Sequence, residues 1–588
     1  MGRETNLGEN EWHFDALDLR PVERWLAALP TLALEGDQRT ITTLAQPPQR
    51  FVDSYLDTDE WRMARAGFVV RTRRRGGQDE ITLKTTRAAE KGGLREPLEV
   101  SEELPGSQVT SLGSHGPVGR RVHAVAGRQA LNPILQVRTR RRPFTLRIDG
   151  VDAAEVALDD TVIVVGNGQR PMQLRRIEVS AFPAWTGTLG RLVQQLHAAC
   201  GLQPATLSKF EAGLLARGLE IPGPPDLGPT DVSPGATLGE LAYAVVRRQL
   251  AVLRDKEPGT RLGEDPEELH EMRVATRRLR AALDLFVDVL PIRVRHFRGE
   301  FGWFAGVLGA VRDLDVQLEA QAAMIEPGQQ DLWAEFTALL ERERDVARDE
   351  LLAALDSVRW QRLMSGMASL AQQGPFRRST ATRAAALVVV PDLIGSRHAA
   401  VVKAAKRAKR SGEAADFHRL RIRCKRLRYS LEFSAELYEG RTSRYTRQLA
   451  KLQNQLGLFQ DAEVAANRLY ELATTNAQLP ASTIFVMGGV AEQHRRETAR
   501  LLEQLPAEVS RVRGREWQDL TMHMDLARDA VLALMPPTRR ILRVLPDPLS
   551  PTSFTADDPV PVPVAVPVAT FVPPQITPWA AGGGERPV

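Results

Sequence analysis

Cysteine is nearly absent, with Cys200 and Cys424 the only two in 588 residues. That excludes a disulfide framework and points to a reducing compartment. Long apolar runs are missing too. The longest aliphatic stretch, Ala384–Val390, falls far short of the roughly 20 residues that span a bilayer. The opening segment MGRETNLGENEWHFDALD is polar and acidic and offers no signal peptide. No membrane insertion is expected, and the cytoplasm is the expected compartment. Net charge is small as well, since 78 Lys and Arg nearly balance 73 Asp and Glu, leaving +5. The total therefore identifies no partner. With 43% hydrophobic and 26% charged residues, the chain is neither wholly disordered nor fibrous. At roughly 100–200 residues per domain, its length suggests two to four domains.

What is present is charge unevenly placed. Between Arg397 and Arg428 stand twelve Lys and Arg against only Glu413 and Asp416, a surplus of +10 over 32 residues. A solvated helix face usually mixes both signs, so this surplus points to a polyanion. Two breaks organise the chain around it. Residues 222–234, PGPPDLGPTDVSP, carry five prolines and no periodic apolar pattern, and read as a linker spanning about 218–234. The last 43 residues hold eleven prolines, and 544–588 is expected to be a disordered tail.

Before the first break, short alternating segments such as GFVVRTRRR, EITLKTT, VALDDTVIVV and LRRIEVSAF read as strands. Helical spacing appears near Val22–Leu29 and Leu189–Ala199. Residues 3–217 are expected to form an antiparallel sheet or barrel. After the break, 235–543 has helical spacing throughout. This half repeats itself. His270-Glu-Met-Arg273-Val-Ala-Thr-Arg277-Arg278-Leu279-Arg280 matches His418-Arg-Leu-Arg421-Ile-Arg-Cys-Lys425-Arg426-Leu427-Arg428. Leu308-Gly309 with Asp313 and Asp315 matches Leu456-Gly457 with Asp461 and Glu463, both at an offset of 148 residues. Two matches at one offset indicate a duplicated helical unit.

On a helix, His270, Arg273, Arg277 and Arg280 fall within an arc of roughly 80°, opposite Met272, Leu279, Leu283 and Phe286. His418, Arg421, Lys425 and Arg428 repeat the stripe, with Leu420, Leu427 and Leu431 behind it. Like charges at i, i+3 and i+4 repel one another unless an anion neutralises them, and Arg forks match phosphate oxygens. Alternatively, Asp313, Asp315, Asp461 and Glu463 on neighbouring helices supply the counter-charge. Neither stripe interleaves aromatics for base stacking, so nucleic acid is the less favoured partner.

These two basic helices and the two Leu-Gly segments resemble the CHAD domain, the conserved-histidine α-helical domain, over roughly 235–540. The resemblance implies two pseudo-symmetric four-helix halves that bind inorganic polyphosphate. The eight stripe residues just named would be the binding groups.

In the first half, alternation puts Glu9, Glu11 and His13 on one strand face. Two carboxylates there could hold Mg²⁺ or Mn²⁺, which prefer oxygen ligands. Other strands offer same-face bases, namely Arg71 with Arg73, Lys84, and Arg138 with Arg140. A metal-bound oligophosphate would suit such a barrel, although exposed antiparallel strands with a solvated charged face read the same way. Tyr55-Leu-Asp57-Thr58, the Arg65-Ala-Gly67 turn, Arg71/Arg73, Lys84, Arg140, Leu158-Asp159-Asp160 and Ser208-Lys209-Phe210 follow the order seen in CYTH domains. These are triphosphate tunnel metalloenzymes, closed barrels that act on triphosphate compounds with a divalent metal.

The resemblance implies catalytic roles for Glu9, Glu11 and Lys84. It implies triphosphate binding by His13, Arg71, Arg73, Lys84, Arg138, Arg140 and Lys209, and metal binding by Glu9, Glu11, Asp159 and Glu178. Two departures stand out: His13 replaces the Lys of Glu-x-Glu-x-Lys, and Arg176-Ile-Glu178-Val-Ser180 replaces Glu-x-Glu-x-Glu. Losing two acids weakens a metal site. The expected function is polyphosphate binding joined to a metal-dependent inorganic triphosphatase, with a non-catalytic binding barrel as the alternative. Polyphosphate granules are an expected site of association.

Overall fold

The chain is described from a computed structural model over residues 3–4, 11–29, 40–85, 89–91, 94–96, 99–104, 112, 116–164, 170–325, 330–375, 379–475 and 479–535. Glu9 and the proline-rich tail lie outside the described residues. The fold is α+β, a predominantly antiparallel β region followed by a helical one.

The first region comprises β1 (Arg3–Glu4), β2 (Glu11–Asp15), α1 (Arg20–Ala28), β3 (Ile41–Ala45), β4 (Gln49–Asp57), α2 (Arg62–Arg65), β5 (Phe68–Arg75) and β6 (Gln78–Thr85). There follow β7 (Ala89–Lys91), β8 (Leu94–Glu96), β9 (Glu99–Glu103), α3 (Pro117–Ala126), β10 (Asn132–Ile148), β11 (Val151–Ile163), β12 (Met172–Ala181), α4 (Thr186–Cys200), β13 (Gln203–Pro204) and α5 (Lys209–Ala216). The main sheet runs β1-β9-β6-β5-β4-β10-β11-β12-β2-β13, with β3 on β10, while β7 and β8 pair separately. The register pairs are antiparallel throughout. A flat sheet would hold β1 and β2 about 38 Å apart at roughly 4.8 Å per strand. The chain joining Glu4 to Glu11 reaches about 25 Å at most. The sheet therefore curls toward a barrel.

Alternation decides what lies on each side. Outward apolar residues take helical cover. Val156, Leu158, Ile177 and Val179 pack with Val22, Leu26, Leu189 and Leu192 of α1 and α4, and Val70, Ile81, Leu83 and Val100 pack with Met63, Val118 and Val122 of α2 and α3. Inside, Phe210 and Leu214 of α5 plug one end against Tyr55, Leu135, Val137, Ile163 and Leu174. A reciprocal cap between Ser208 and Glu211 starts α5 and so places Lys209 at the edge of that plug.

The helical half contains α6 (Leu238–Leu262), α7 (Pro266–Leu285), α8 (Val294–Ala322), α9 (Gln330–Leu355), α10 (Val358–Gln373) and α11 (Thr380–Arg383). It continues with α12 (Ala386–Ser411), α13 (Ala414–Phe433), α14 (Ser443–Thr475), α15 (Ala481–Ser510) and α16 (Arg515–Leu534). The duplication is visible in the starts: α6 and α12 begin 148 residues apart, as do α7 and α13. Each half carries one long helix beyond the expected four. α10 packs back on α6, and α16 on α12. Met272, Leu279, Leu420 and Leu427 are fully buried, so α7 and α13 turn their predicted apolar faces to the core.

The proline-rich segment is a strap rather than a free linker. It has no regular element, yet Leu227 joins the helical core. Arg247 donates to the Pro229 carbonyl at 3.0 Å, and Arg248 to that of Thr230. Within this core, Leu427→Ala should lower stability by about 2–5 kcal/mol, seen as loss of far-ultraviolet helical signal at lower urea.

Candidate functional site

α7 and α13 pack against each other, and this single contact brings the two predicted stripes together. All eight stripe residues are half-buried, on the side opposite the core. The charges of Arg273 and Arg277 on α7 act directly on Arg421 and Lys425 of α13, so the two stripes lie close together as one cationic surface, termed the groove. Arg273 bonds Asp313 at 2.9 Å, and Arg421 approaches Asp461 at 3.7 Å. His418 Nδ1 and Arg421 share the Gln460 side-chain oxygen, and Arg428 reaches Glu432 at 3.5 Å.

The repeated Leu-Gly pairs gain a physical meaning here. Leu308 and Leu456 are buried, while Gly309 and Gly457 lie under the guanidiniums of Arg273 and Arg421, 3.7 and 3.4 Å from where a Cβ would stand. The acids that follow divide their work. Asp313 and Asp461 answer the stripes, whereas Asp315 turns away to Arg344 at 2.6 Å. The Glu463 carboxyl is raised by burial.

Those acids do not balance the groove. Among the described residues, Arg277, Arg280 and Lys425 have no ion-pair partner. The Nε atoms of Arg277, Arg280, Arg421 and Arg428 are buried without a hydrogen-bond acceptor. Crowded cations resist charging. Burial, then Arg421 and Arg277, push the Lys425 amine down to about 7. Burial lowers His270 too, and Arg312, Arg277 and Arg273 add to it.

The barrel interior is built differently. Arg73 bonds Asp53 through two contacts at 2.7 and 2.9 Å. Lys84 meets Glu99 at 2.6 Å, with Arg71 3.7 Å from the same carboxylate. Arg176, only 4% exposed, bonds Asp15 at 2.9 Å and the Leu207 carbonyl at 2.7 Å. Asp159 is 0% exposed and accepts from Arg141 at 2.7 and 2.8 Å and from Lys209 at 2.5 Å. Glu178 accepts from Lys209 at 2.6 Å and from Arg141. Burial alone would raise the Glu178 carboxyl, but Lys209 and Arg141 hold it well below its usual value. Among the described residues named here, Arg71, Arg73, Lys84, Arg141, Arg176 and Lys209 each have a carboxylate within ion-pair distance.

Two expected phosphate ligands are elsewhere. Arg138 and Arg140 stand opposite Val52 and Arg50 on the outer, exposed face, because Leu135, Val137 and Thr139 claim the inner one. Arg141 is the inward residue of that run. Sequence reasoning also passed over Asp15, Asp53 and Glu99. For Arg141 a signal existed, since the alternation of Leu135 and Val137 extends to it. Asp57, within a matched motif, instead caps a turn by accepting from the N–H groups of Thr58, Met63 and Ala64.

The described members of the expected metal set, Glu11, Asp159 and Glu178, do not fit a divalent ion as they stand. Among the described residues no three His, Cys, Asp or Glu side chains converge as a metal cluster. Asp159 and Glu178 are held by Arg141 and Lys209. Glu11 meets His13 at 3.3 Å and accepts from Ser180 at 3.2 Å, and its carboxyl is lowered chiefly by the His13 hydrogen bond.

A curled antiparallel sheet with a charged interior, followed by a duplicated helical unit with a cationic groove, defines a two-part protein with two candidate anion sites. Comparison with known families names the parts: the chain carries a CYTH domain, matched over residues 26–199, and a CHAD domain, matched over 244–470. No curated protein matches. Among solved structures, a CHAD domain from the plant Ricinus communis is similar at 29% identity and TM-score 0.41, covering 49% of this chain and 96% of its own. PptA from Streptomyces chartreusis is similar at 18% identity and TM-score 0.38, over 46% of this chain and 99% of its own. A putative adenylyl cyclase from Hippeastrum, described as having a dominant triphosphatase activity, is similar at 15% identity and TM-score 0.25, over 36% and 97%. No helix among the described residues is long and apolar enough to cross a membrane.

Lys425 gives the groove a pH signature. An anion favours the charged amine and raises its pKa, so anion binding should take up a proton above about 7 and weaken as pH rises. Calorimetry between pH 7 and 9, in buffers of different ionisation enthalpy, should show this uptake. Lys425→Arg, charged throughout, should abolish it.

Proposed function

We propose that this protein binds inorganic polyphosphate in the groove between α7 and α13, and that its barrel receives a triphosphate or a chain end. The observation that carries the reading is the surplus of groove cations: Arg277 acts on Lys425 across α7 and α13, Arg280 lies one turn further along α7, and none of the three has an ion-pair partner among the described residues. A flexible polyanion with one negative charge per phosphate relieves that repulsion along the whole groove. Each well-formed charge-assisted hydrogen bond to phosphate contributes roughly 1.5–3 kcal/mol, so several of them bind a long chain tightly even after discounts for exposure and salt. Stacking surfaces are lacking in the stripes, which favours polyphosphate over nucleic acid.

Metal-dependent hydrolysis of inorganic triphosphate by the barrel is the second reading, favoured by the CYTH match and by Glu11 lying within reach of the Lys84 charge. Against it stand the carboxylates already held by Arg141 and Lys209. An incoming triphosphate would have to displace those internal acids to engage the same cations.

Two measurements separate the readings. Arg277→Ala with Lys425→Ala should weaken long-chain polyphosphate binding by roughly tenfold or more, about 1.4 kcal/mol, and an unchanged affinity contradicts the groove assignment. Phosphate release from inorganic triphosphate, with and without Mg²⁺ or Mn²⁺, should not exceed that of Glu11→Ala. Metal-dependent release lost in Glu11→Ala would establish the hydrolytic reading instead.

A further inference from the structure

The groove is not symmetric at its two ends. At the C-terminal end of α7, Asp284 accepts from Arg298 of α8 at 3.1 Å and from Arg397 of α12 at 3.4 Å. Arg280, one turn earlier, has its guanidinium over Gly302 of α8 and its Nε buried without an acceptor. Burial lowers Arg280, and the charges of Arg298 and Arg426 lower it further. Burial likewise lowers Arg397, with Asp284 opposing and Arg426 and Arg423 adding to the effect. Two guanidiniums thus bond Asp284, Arg280 and Arg423 lie within reach of its charge, and Arg426 stands beside Arg280, Arg397 and Arg423. Arg423 and Arg426 are exposed and, among the described residues, have no ion-pair partner.

The duplication supplies an internal comparison. At the offset of 148, Glu432 stands for Asp284, Arg428 for Arg280 and Arg278 for Arg426. Thr446, Gln249 and Ala275 replace Arg298, Arg397 and Arg423. At that end Glu432 meets Arg278 and, at 3.5 Å, Arg428. Leaving Arg298 aside, the four arginines Arg280, Arg397, Arg423 and Arg426 against Asp284 leave +3 at this end among the described residues, whereas two against one leave +1 at the Glu432 end. A surface that only needed solubility would have no reason to gather cations at one of two related ends. Partial burial of Arg280 and Arg397 makes the repulsion each feels from Arg426 costlier than on an open face.

We infer that the Asp284 end is an additional condensed-phosphate subsite, formed by Arg280, Arg298, Arg397, Arg423 and Arg426, which anchors the chain where it runs past the stripes. The groove then has a strongly held end and a weakly held end, and chains long enough to reach Asp284 bind better. This inference rests on the polyphosphate reading of the groove.

The test exchanges residues that the chain already uses in its other half. Full-length R298T/R397Q/R423A should bind long-chain inorganic polyphosphate at least about tenfold more weakly than the unmodified protein. Its affinity should also depend less steeply on salt, since each lost phosphate contact flattens the slope by about 0.7–0.9. R423A/R426A, altering only exposed side chains, should shift both quantities in the same direction and guards against misfolding of the triple variant. Unchanged affinity and salt slope in both variants, with binding by the unmodified protein intact, would overturn the subsite. If the unmodified protein fails to bind polyphosphate at all, the groove reading itself falls.

Discussion

Everything distinctive about the helical half follows from holding like charges together. The core needs the apolar faces of α7 and α13, and burying those faces side by side forces two rows of Arg, Lys and His into one groove. Asp313 and Asp461 relieve part of the repulsion and leave the middle of the groove uncompensated. Burial, with the charges of Arg421 and Arg277 added to it, depresses the Lys425 amine there. In the proposed reading, a bound polyanion would remove a penalty that the unbound protein carries.

The barrel solves the same problem internally. The inward cations described there each meet a carboxylate of the sheet, and Asp159 and Glu178 are each shared by Arg141 and Lys209. Removing one partner from such a buried set leaves an uncompensated charge, which is costly. The two halves therefore differ in what they ask of a ligand. Anion binding relieves strain in the groove, whereas in the barrel it must compete with ion pairs already made.

The stripes were legible because helical periodicity, an apolar reverse face and an exact repeat offset all agreed. The groove formed by their pairing needed only the symmetry of the duplication. The barrel was harder. In the run Arg138-Thr139-Arg140-Arg141-Arg142 a one-residue change of parity swaps inside for outside, and the apolar plug around Leu135 and Val137 decides it. Nor could strand patterns show that Arg141 and Lys209 would neutralise Asp159 and Glu178, since these pairs join β10, β11, β12 and α5 across tertiary contacts. The strap over residues 218–234 reads as a linker in sequence because, apart from Leu227 in the core, it is fastened to Arg247 and Arg248 through the Pro229 and Thr230 carbonyls.

Hydrogen exchange of the full chain with and without long-chain inorganic polyphosphate tests the central claim most directly, because it reports both sites in one sample. The account predicts slowed exchange concentrated on α7 and α13, with the strands carrying Arg141, Asp159 and Glu178 little changed. Protection confined to β10, β11 and β12, with α7 and α13 unaffected, would contradict it.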